Sequence, residues 1–296
     1  MSLVSLVKIK SETEIKKGIQ EALDLIQYSW STSIENVVIK PNLCYYWDYT
    51  TGQTTNPRFI AKLIELIREK VSPNVNISIV ESDASAMKCK YVFKMLGYEK
   101  LAENYNVKLV NLSRDQSETT EVVAGKQSFT LMIPATIQKA DLKINVPKIK
   151  YMMEPVKLTC ALKNIFGCNP YPKKYRYHSC IEKAIVAVNK VMKFDLHIID
   201  GIIVSGTHPC KLGLIMASTD PVAIDTAAAD IAGINPNTVK YLQLAKNEGL
   251  GNNTYIPKGI PISQIIREYP RRNIKEKLRN NAYKLLIRVG LSKRLE

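Results

Sequence analysis

The sequence has no apolar run approaching the ~18 residues of a membrane-spanning helix, and its first residues lack the basic-then-apolar pattern of a secretion signal. Those two absences predict a soluble, cytoplasmic protein. No Gly-x-Gly-x-x-Gly follows a strand, and no P-loop, His-Glu-x-x-His or EF-hand spacing occurs, so motif supports neither a nucleotide nor a metal assignment. The six cysteines contain no Cys-x-x-Cys pair, which removes zinc ribbons and thioredoxin-type redox motifs. Histidine is scarce at three residues, and acidic residues are outnumbered, 27 Asp+Glu standing against 42 Lys+Arg. What is present is ordinary for a globular chain: 46% hydrophobic and 23% charged residues over 296 positions, enough for a core without disulfide or metal staples.

The net charge of +15 is concentrated in two windows. Residues 139–176 hold nine basic and two acidic residues, and residues 267–296 hold ten and three, leaving the remainder nearly neutral. Two local basic features therefore need explaining, not a generally basic surface.

Short apolar stretches alternate with helical periodicity along the chain. Strands are expected at 3–9, 37–39, 77–80, 107–110, 142–146, 196–199 and 214–217. Helices are expected at 12–28, 57–70, 87–105, 156–166, 181–191 and 222–232, the last capped by Asp220-Pro221. A hairpin over 121–133 turns at Ala124-Gly125. This alternation predicts an α/β fold, a mainly parallel sheet flanked by helices in three layers of Rossmann-like type, with a small β insertion. One α/β domain is expected over 1–266. Residues 267–296 read as a basic amphipathic C-terminal helix, suited to docking on its own domain, a homo-oligomer mate or an acidic partner.

Five of the strands finish in polar residues: Lys40-Pro41-Asn42, Glu81-Ser82-Asp83, Pro147-Lys148, Asp200-Gly201 and Ser218-Thr219-Asp220. In an open parallel sheet the carboxyl ends share one edge, where ligands bind, so these segments are expected to converge. Lysines beside a sheet edge make a receptor for phosphate or carboxylate. Lys40, Asn42, Lys148, Lys150, Lys163 and Asn164 are accordingly the expected ligands of a small anionic metabolite, with His178, Glu81 and Asp200 as acid/base candidates if the site is catalytic. His197 lies inside an apolar strand and reads as structural. Tyr171, Tyr175 and Tyr177, interleaved with Lys173, Lys174 and Arg176, offer an alternative as a nucleic-acid strip.

The set Ile39-Lys40-Pro41-Asn42-Leu43, Thr55-Asn56-Pro57-Arg58, Glu81-Ser82, Gly97-Tyr98, Pro147-Lys148-Ile149-Lys150, Leu162-Lys163-Asn164-Ile165-Phe166-Gly167, His178, Asp200-Gly201, Asp220-Pro221-Val222-Ala223-Ile224-Asp225 and Gly249-Leu250-Gly251 resembles the family called domain of unknown function 362. The Lys-Asn-x-Phe-Gly and Asp-Pro-Val-Ala-x-Asp pieces are its more specific parts. Many members carry a ferredoxin-like segment with two Cys-rich motifs and are labelled iron-sulfur proteins, which the resemblance extends to this chain as a second expectation, an iron-sulfur or other metal-dependent redox centre. No Cys-rich segment of that kind lies within these 296 residues. Cys44, Cys160, Cys168 and Cys180 stand near the matched motifs and are the candidate ligands, although the spacing C-x7-C-x11-C of the last three fits no standard cluster. Where members commonly continue Pro147-Lys148-Ile149-Lys150 with Thr-His, this chain has Tyr151-Met152, so no role can be given to that histidine.

Overall fold

The computed structural model describes residues 1–271 except 153 and 207. Twelve strands occur among them in chain order: β1 Ser2–Lys8, β2 Asn36–Pro41, β3 Asn76–Glu81, β4 Lys108–Asn111, β5 Ser117–Ala124, β6 Gln127–Pro134, β7 Leu142–Val146, β8 Lys150–Tyr151, β9 Leu158–Thr159, β10 Leu196–Val204, β11 Cys210–Ser218 and β12 Tyr255–Gly259. The helices are α1 Ile15–Leu25, α2 Pro57–Lys70, α3 Cys89–Met95, α4 Tyr98–Asn104, α5 Ala135–Gln138, α6 Ala161–Phe166, α7 Ile181–Val191, α8 Pro221–Ile231, α9 Lys240–Asn247 and α10 Ile262–Glu268.

Eight strands form one sheet in the order β12-β1-β11-β10-β7-β2-β3-β4. Neighbours pair in parallel except where β11 meets β1 and β10. The two-residue period of a strand sends alternate side chains to opposite faces, which explains why helices cover both. Val37, Ile39, Ile77, Ile79, Ile144 and Ile198 pack with α1 to α4 on one side. On the other, Val38 and Val80 pack with α6, α7 and α9, while Leu6, Leu214 and Met216 pack with α8. The result is the expected α/β fold, a mostly parallel sheet flanked by helices.

Several expected elements have different bounds. The stretch 87–105 breaks into α3 and α4 at Gly97, whose φ of 78° stops the first helix. The segment expected to be helical from 156 begins only at α6, because β9 first pairs with β8 in a two-stranded ladder. The hairpin extends to β5 and β6, in full antiparallel register over 117–134. Most of the expected C-terminal helix over 267–296 lies outside the described residues, which reach Arg271.

The order of the strands locates the crevice. From β2 the chain passes through α2 to β3 on one side, and later returns to form β7 on the other side of β2. Helix α2 packs on one face, whereas α6 and α7, which follow β7, pack on the opposite face. The loops leaving β2 and β7 therefore diverge, and such a switch point is where open α/β sheets bind ligands.

One expected contributor is excluded by this topology. Strand β11 runs antiparallel to β10, so Ser218-Thr219-Asp220 emerges at the opposite edge from Lys40 and Lys148. Asp200 is not at a strand end either, since β10 continues to Val204. It still reaches the crevice because β10 outruns its neighbour: the Asp200 amide donates to the carbonyl of Pro147, just past the end of β7, at 3.2 Å.

Candidate functional site

Lys40, the penultimate residue of β2, is buried, and its Nζ donates to Glu81 Oε2 and to the Pro41 carbonyl, both at 2.7 Å. Gly167 lies against the Lys40 side chain, and a Cβ there would collide with the Asn164 carbonyl. Lys148, equally buried, donates to the Ile203 carbonyl at 2.8 Å and stands 3.2 Å from Asp200 Oδ2. Asp200 also accepts the amides of Asn56 and Ile202. Burial pushes the Lys148 pKa down, and Asp200 partly restores it. Two lysines at the switch point thus each face a carboxylate.

Three others do not. Lys150 Nζ donates to the Gln53 carbonyl at 3.1 Å and lies beside the Cys44 thiol. Burial lowers its pKa; the Cys44 interaction opposes this, and the charges of Lys148 and Lys40 add to it. Lys174 Nζ donates to Ser82 Oγ at 2.7 Å and to the Asp83 carbonyl at 2.6 Å, again with its pKa lowered by burial. Lys163, on α6, makes no hydrogen bond or ion pair among the described residues, and its Nζ lies 5.4 Å from the centre of the Phe166 ring. Desolvation and the charges of Lys150 and Lys174 push its pKa down to about 8, Cys44 opposing them. Lys163 as a residue is half-buried.

A chain of buried amides fixes these positions. Asn42 Nδ2 donates to Asn164 Oδ1 at 3.0 Å, and Asn164 Nδ2 donates to Asn145 Oδ1 at 2.7 Å and to the Lys40 carbonyl at 3.3 Å. Asn145 Nδ2 in turn donates to the Ala161 carbonyl and meets His197 Nδ1 at 3.1 Å. Burial lowers the His197 pKa to about 4, which favours the neutral ring at pH 7. Asn164 ties α6 to the ends of β2 and β7, whereas Asn42 Oδ1, Thr54 Oγ1, Asn169 Nδ2 and His197 Nε2 are buried polar atoms without a hydrogen-bond partner among the described residues.

The Asp-Pro-Val-Ala-x-Asp segment supports the site from behind. Asp220 caps α8 by accepting the amides of Val222 and Ala223. Asp225, one turn further along, accepts the amides of Ala161 and Leu162 at the start of α6 at 2.6 and 3.1 Å. Burial raises its pKa to about 7. The two most specific sequence pieces are therefore a pair, the second holding the helix that carries Lys163 and Asn164.

Other expected residues stand apart. His178 is exposed in the turn Lys174–Cys180 and makes no hydrogen bond among the described residues. Glu81 and Asp200 are buried against Lys40 and Lys148 as counter-charges. Cys44, Cys160, Cys168 and Cys180 do not gather. Cys44 lies by Lys150, Cys160 by Asp225, and Cys168 is buried near Lys40 with its pKa raised to about 12. No three His, Cys, Asp or Glu residues are grouped to hold a metal among the described residues. The aromatic strip divides: Tyr177 is buried edge-on to Phe166 and Arg176 lies over Tyr171 and Tyr177, while Tyr175 and Lys173 are exposed. Lys174, expected in that strip, instead joins the lysine cluster, and Asn145 was missed although a lone polar residue inside Leu142–Val146 signals a buried network.

Among known proteins, the chain is 27% identical to a thylakoid-associated protein of Synechocystis sp. over 244 residues, 77% of this chain and 72% of that one. Among the described residues no helix is long and apolar enough to cross a membrane. The fold is similar to that of the lactate racemase apoprotein from Thermoanaerobacterium thermosaccharolyticum, with a TM-score of 0.51 and 14% identity over 79% of this chain. The match spans 58% of that neighbour's length and bears on fold alone. Residues 37–230, which hold all five lysines and both aspartates of the α8 segment, match the family described as Domain of unknown function (DUF362), and the chain belongs to it.

Proposed function

We propose that the crevice between β2 and β7 binds a small anionic ligand, phosphorylated or carboxylated. The observation that carries this reading is Lys163, an amine without a hydrogen bond or counter-ion among the described residues, pressed by the charges of Lys150 and Lys174. Like charges brought together in a partly desolvated place raise the free energy of the fold unless something offsets them. A bound phosphate or carboxylate does so, accepting from amines that a carbonyl, a hydroxyl and a thiol leave incompletely matched. Glu81 and Asp200 neutralise Lys40 and Lys148, which leaves the excess charge on Lys150, Lys163 and Lys174.

The test is thermal stabilisation by a panel of phosphorylated and carboxylated metabolites, in parallel for the parent, Lys163→Ala and Lys174→Ala. Stabilisation of the parent by some of the panel is expected, with a reduced response in both variants. A flat response across the panel, or variants that respond as the parent does, rejects the site.

A further inference from the structure

The lysines of the crevice differ in what their Nζ atoms are already doing. Lys40, Lys148, Lys150 and Lys174 each donate to at least one protein oxygen. A protonated, hydrogen-bonded amine is a binding group and has no lone pair to offer. Lys163 is the exception: among the described residues its Nζ makes no hydrogen bond or ion pair, the residue is half-buried, and its neighbours are the amines of Lys150 and Lys174, the Cys44 thiol and the Phe166 ring. Helix α6 is held at its start by Asp225 and through Asn164 to Asn42, Asn145 and the Lys40 carbonyl, so the amine is carried on a fixed base.

We infer that Lys163 is a nucleophilic amine that forms an imine with a small carbonyl compound bearing a carboxylate or phosphate, the anionic group being held by Lys150 and Lys174. The inference rests on the anion-binding reading of the same crevice and adds the substrate's second functional group. Desolvation next to other cations is the established way to keep a lysine unprotonated near neutral pH. Burial and the charges of Lys150 and Lys174 bring the Lys163 pKa down to about 8, toward the range in which an amine can attack a carbonyl.

The step balances without an oxidant or reductant. The Nζ lone pair attacks the carbonyl carbon and forms the C–N bond, while the C=O π pair moves to oxygen, which takes up a proton. The nitrogen loses its proton, and the carbinolamine expels its hydroxyl with a further proton as water, as the nitrogen lone pair closes the C=N bond. Lys150 and Lys174, as ammonium groups, favour the approach of an anionic carbonyl compound over a neutral one.

The experiment uses the full chain, pyruvate as probe and sodium cyanoborohydride to reduce any imine to a stable secondary amine, located by peptide mass mapping. Lactate replaces pyruvate as control, and dihydroxyacetone phosphate forms a second arm that separates a carboxylate-bearing from a phosphate-bearing substrate. The expected result is a reduced adduct concentrated on Lys163 in at least one carbonyl arm, absent with lactate. The rate should rise with pH to a midpoint near 8. Lys163→Arg, which keeps the charge, and Lys163→Met, which does not depend on accommodating a guanidinium, should both lose the adduct. No adduct on Lys163 in either arm, or labelling spread over exposed lysines without preference for it, overturns the imine. Melting temperature with inorganic phosphate separates the two readings: stabilisation without an adduct rejects the imine and keeps the anion site, whereas neither response rejects both.

Discussion

Lys40 and Lys148 face Glu81 and Asp200, whereas Lys150, Lys163 and Lys174, in the same crevice, have no carboxylate within ion-pair distance among the described residues. The first pair lies deepest, at the ends of the central strands β2 and β7, where an unmatched charge would be most costly. The three others come from the ladder strand β8, from α6 and from the turn after it, further from the sheet. The difference separates two functions of one residue type. Lys40 and Lys148 are part of the folded framework, and the other three carry their amines without a carboxylate in ion-pair distance among the described residues.

That contrast is broken most severely by removing a counter-charge. Glu81→Gln or Asp200→Asn leaves a buried ammonium without its partner, and each should lower the unfolding free energy by about 3–5 kcal/mol, read from urea denaturation. Equal tolerance of both substitutions would mean that the deep lysines are neutral, and the contrast would disappear.

Next in size is the support of α6. Asp225→Ala deletes the acceptor of the Ala161 and Leu162 amides and should cost about 2 kcal/mol at pH 5. The cost should shrink as pH rises. Burial raises the Asp225 pKa from 3.8 to about 7, so this carboxyl favours the fold most when protonated, and that contribution is lost between about pH 4 and 7. The variant lacks this dependence, and its melting temperature should approach the parent's toward pH 8. A constant gap across that range would assign Asp225 an ordinary low pKa.

The opposite sign is expected on the unpaired side. Lys163→Met removes a charge that its surroundings disfavour and should raise stability by roughly 1 kcal/mol, allowing for solvent screening of a half-buried residue, while weakening stabilisation by added anions. Loss of stability would place Lys163 with the framework lysines.

How much of this was readable beforehand follows the range of each signal. The alternation of apolar and helical stretches carried the α/β fold, and Lys40, Lys148, Lys150 and Lys163 were legible because they follow short β-branched strands or sit in the densest basic window. Strand direction was not legible. Nothing local to 214–217 says that β11 runs against its neighbours, which is why Ser218-Thr219-Asp220 was placed at the wrong edge. Pairing was invisible for the same reason: Glu81 meets Lys40 and Asp200 meets Lys148 only across the sheet, so both carboxylates looked free for proton transfer. Lys174 drew attention for its tyrosine neighbours, and only the fold brings it to Ser82. Sequence proximity to the motifs says nothing of where the cysteines lie in space: Cys160 and Cys168 sit at opposite ends of α6 and face different partners.

The smallest effect sharpens the contrast by titration. Sulfate keeps the same charge between pH 7 and pH 10, so any change in its affinity across that range reports on the protein. Lys163, with a pKa of about 8, loses its proton within that window, whereas Lys40 and Lys148 are paired with Glu81 and Asp200. Removing one nearby charge in a solvated crevice is worth about 1 kcal/mol, or roughly fivefold in affinity. Sulfate affinity should therefore fall about fivefold as pH rises through 8, and by linkage bound sulfate should raise the Lys163 pKa. In Lys163→Met the affinity should be lower at pH 7 and flat through pH 8, any later decline belonging to Lys150 and Lys174. A parent whose affinity does not change until pH 10 would mean that Lys163 remains protonated like a surface lysine, which would remove its distinction from the others and the basis of its proposed nucleophilicity together.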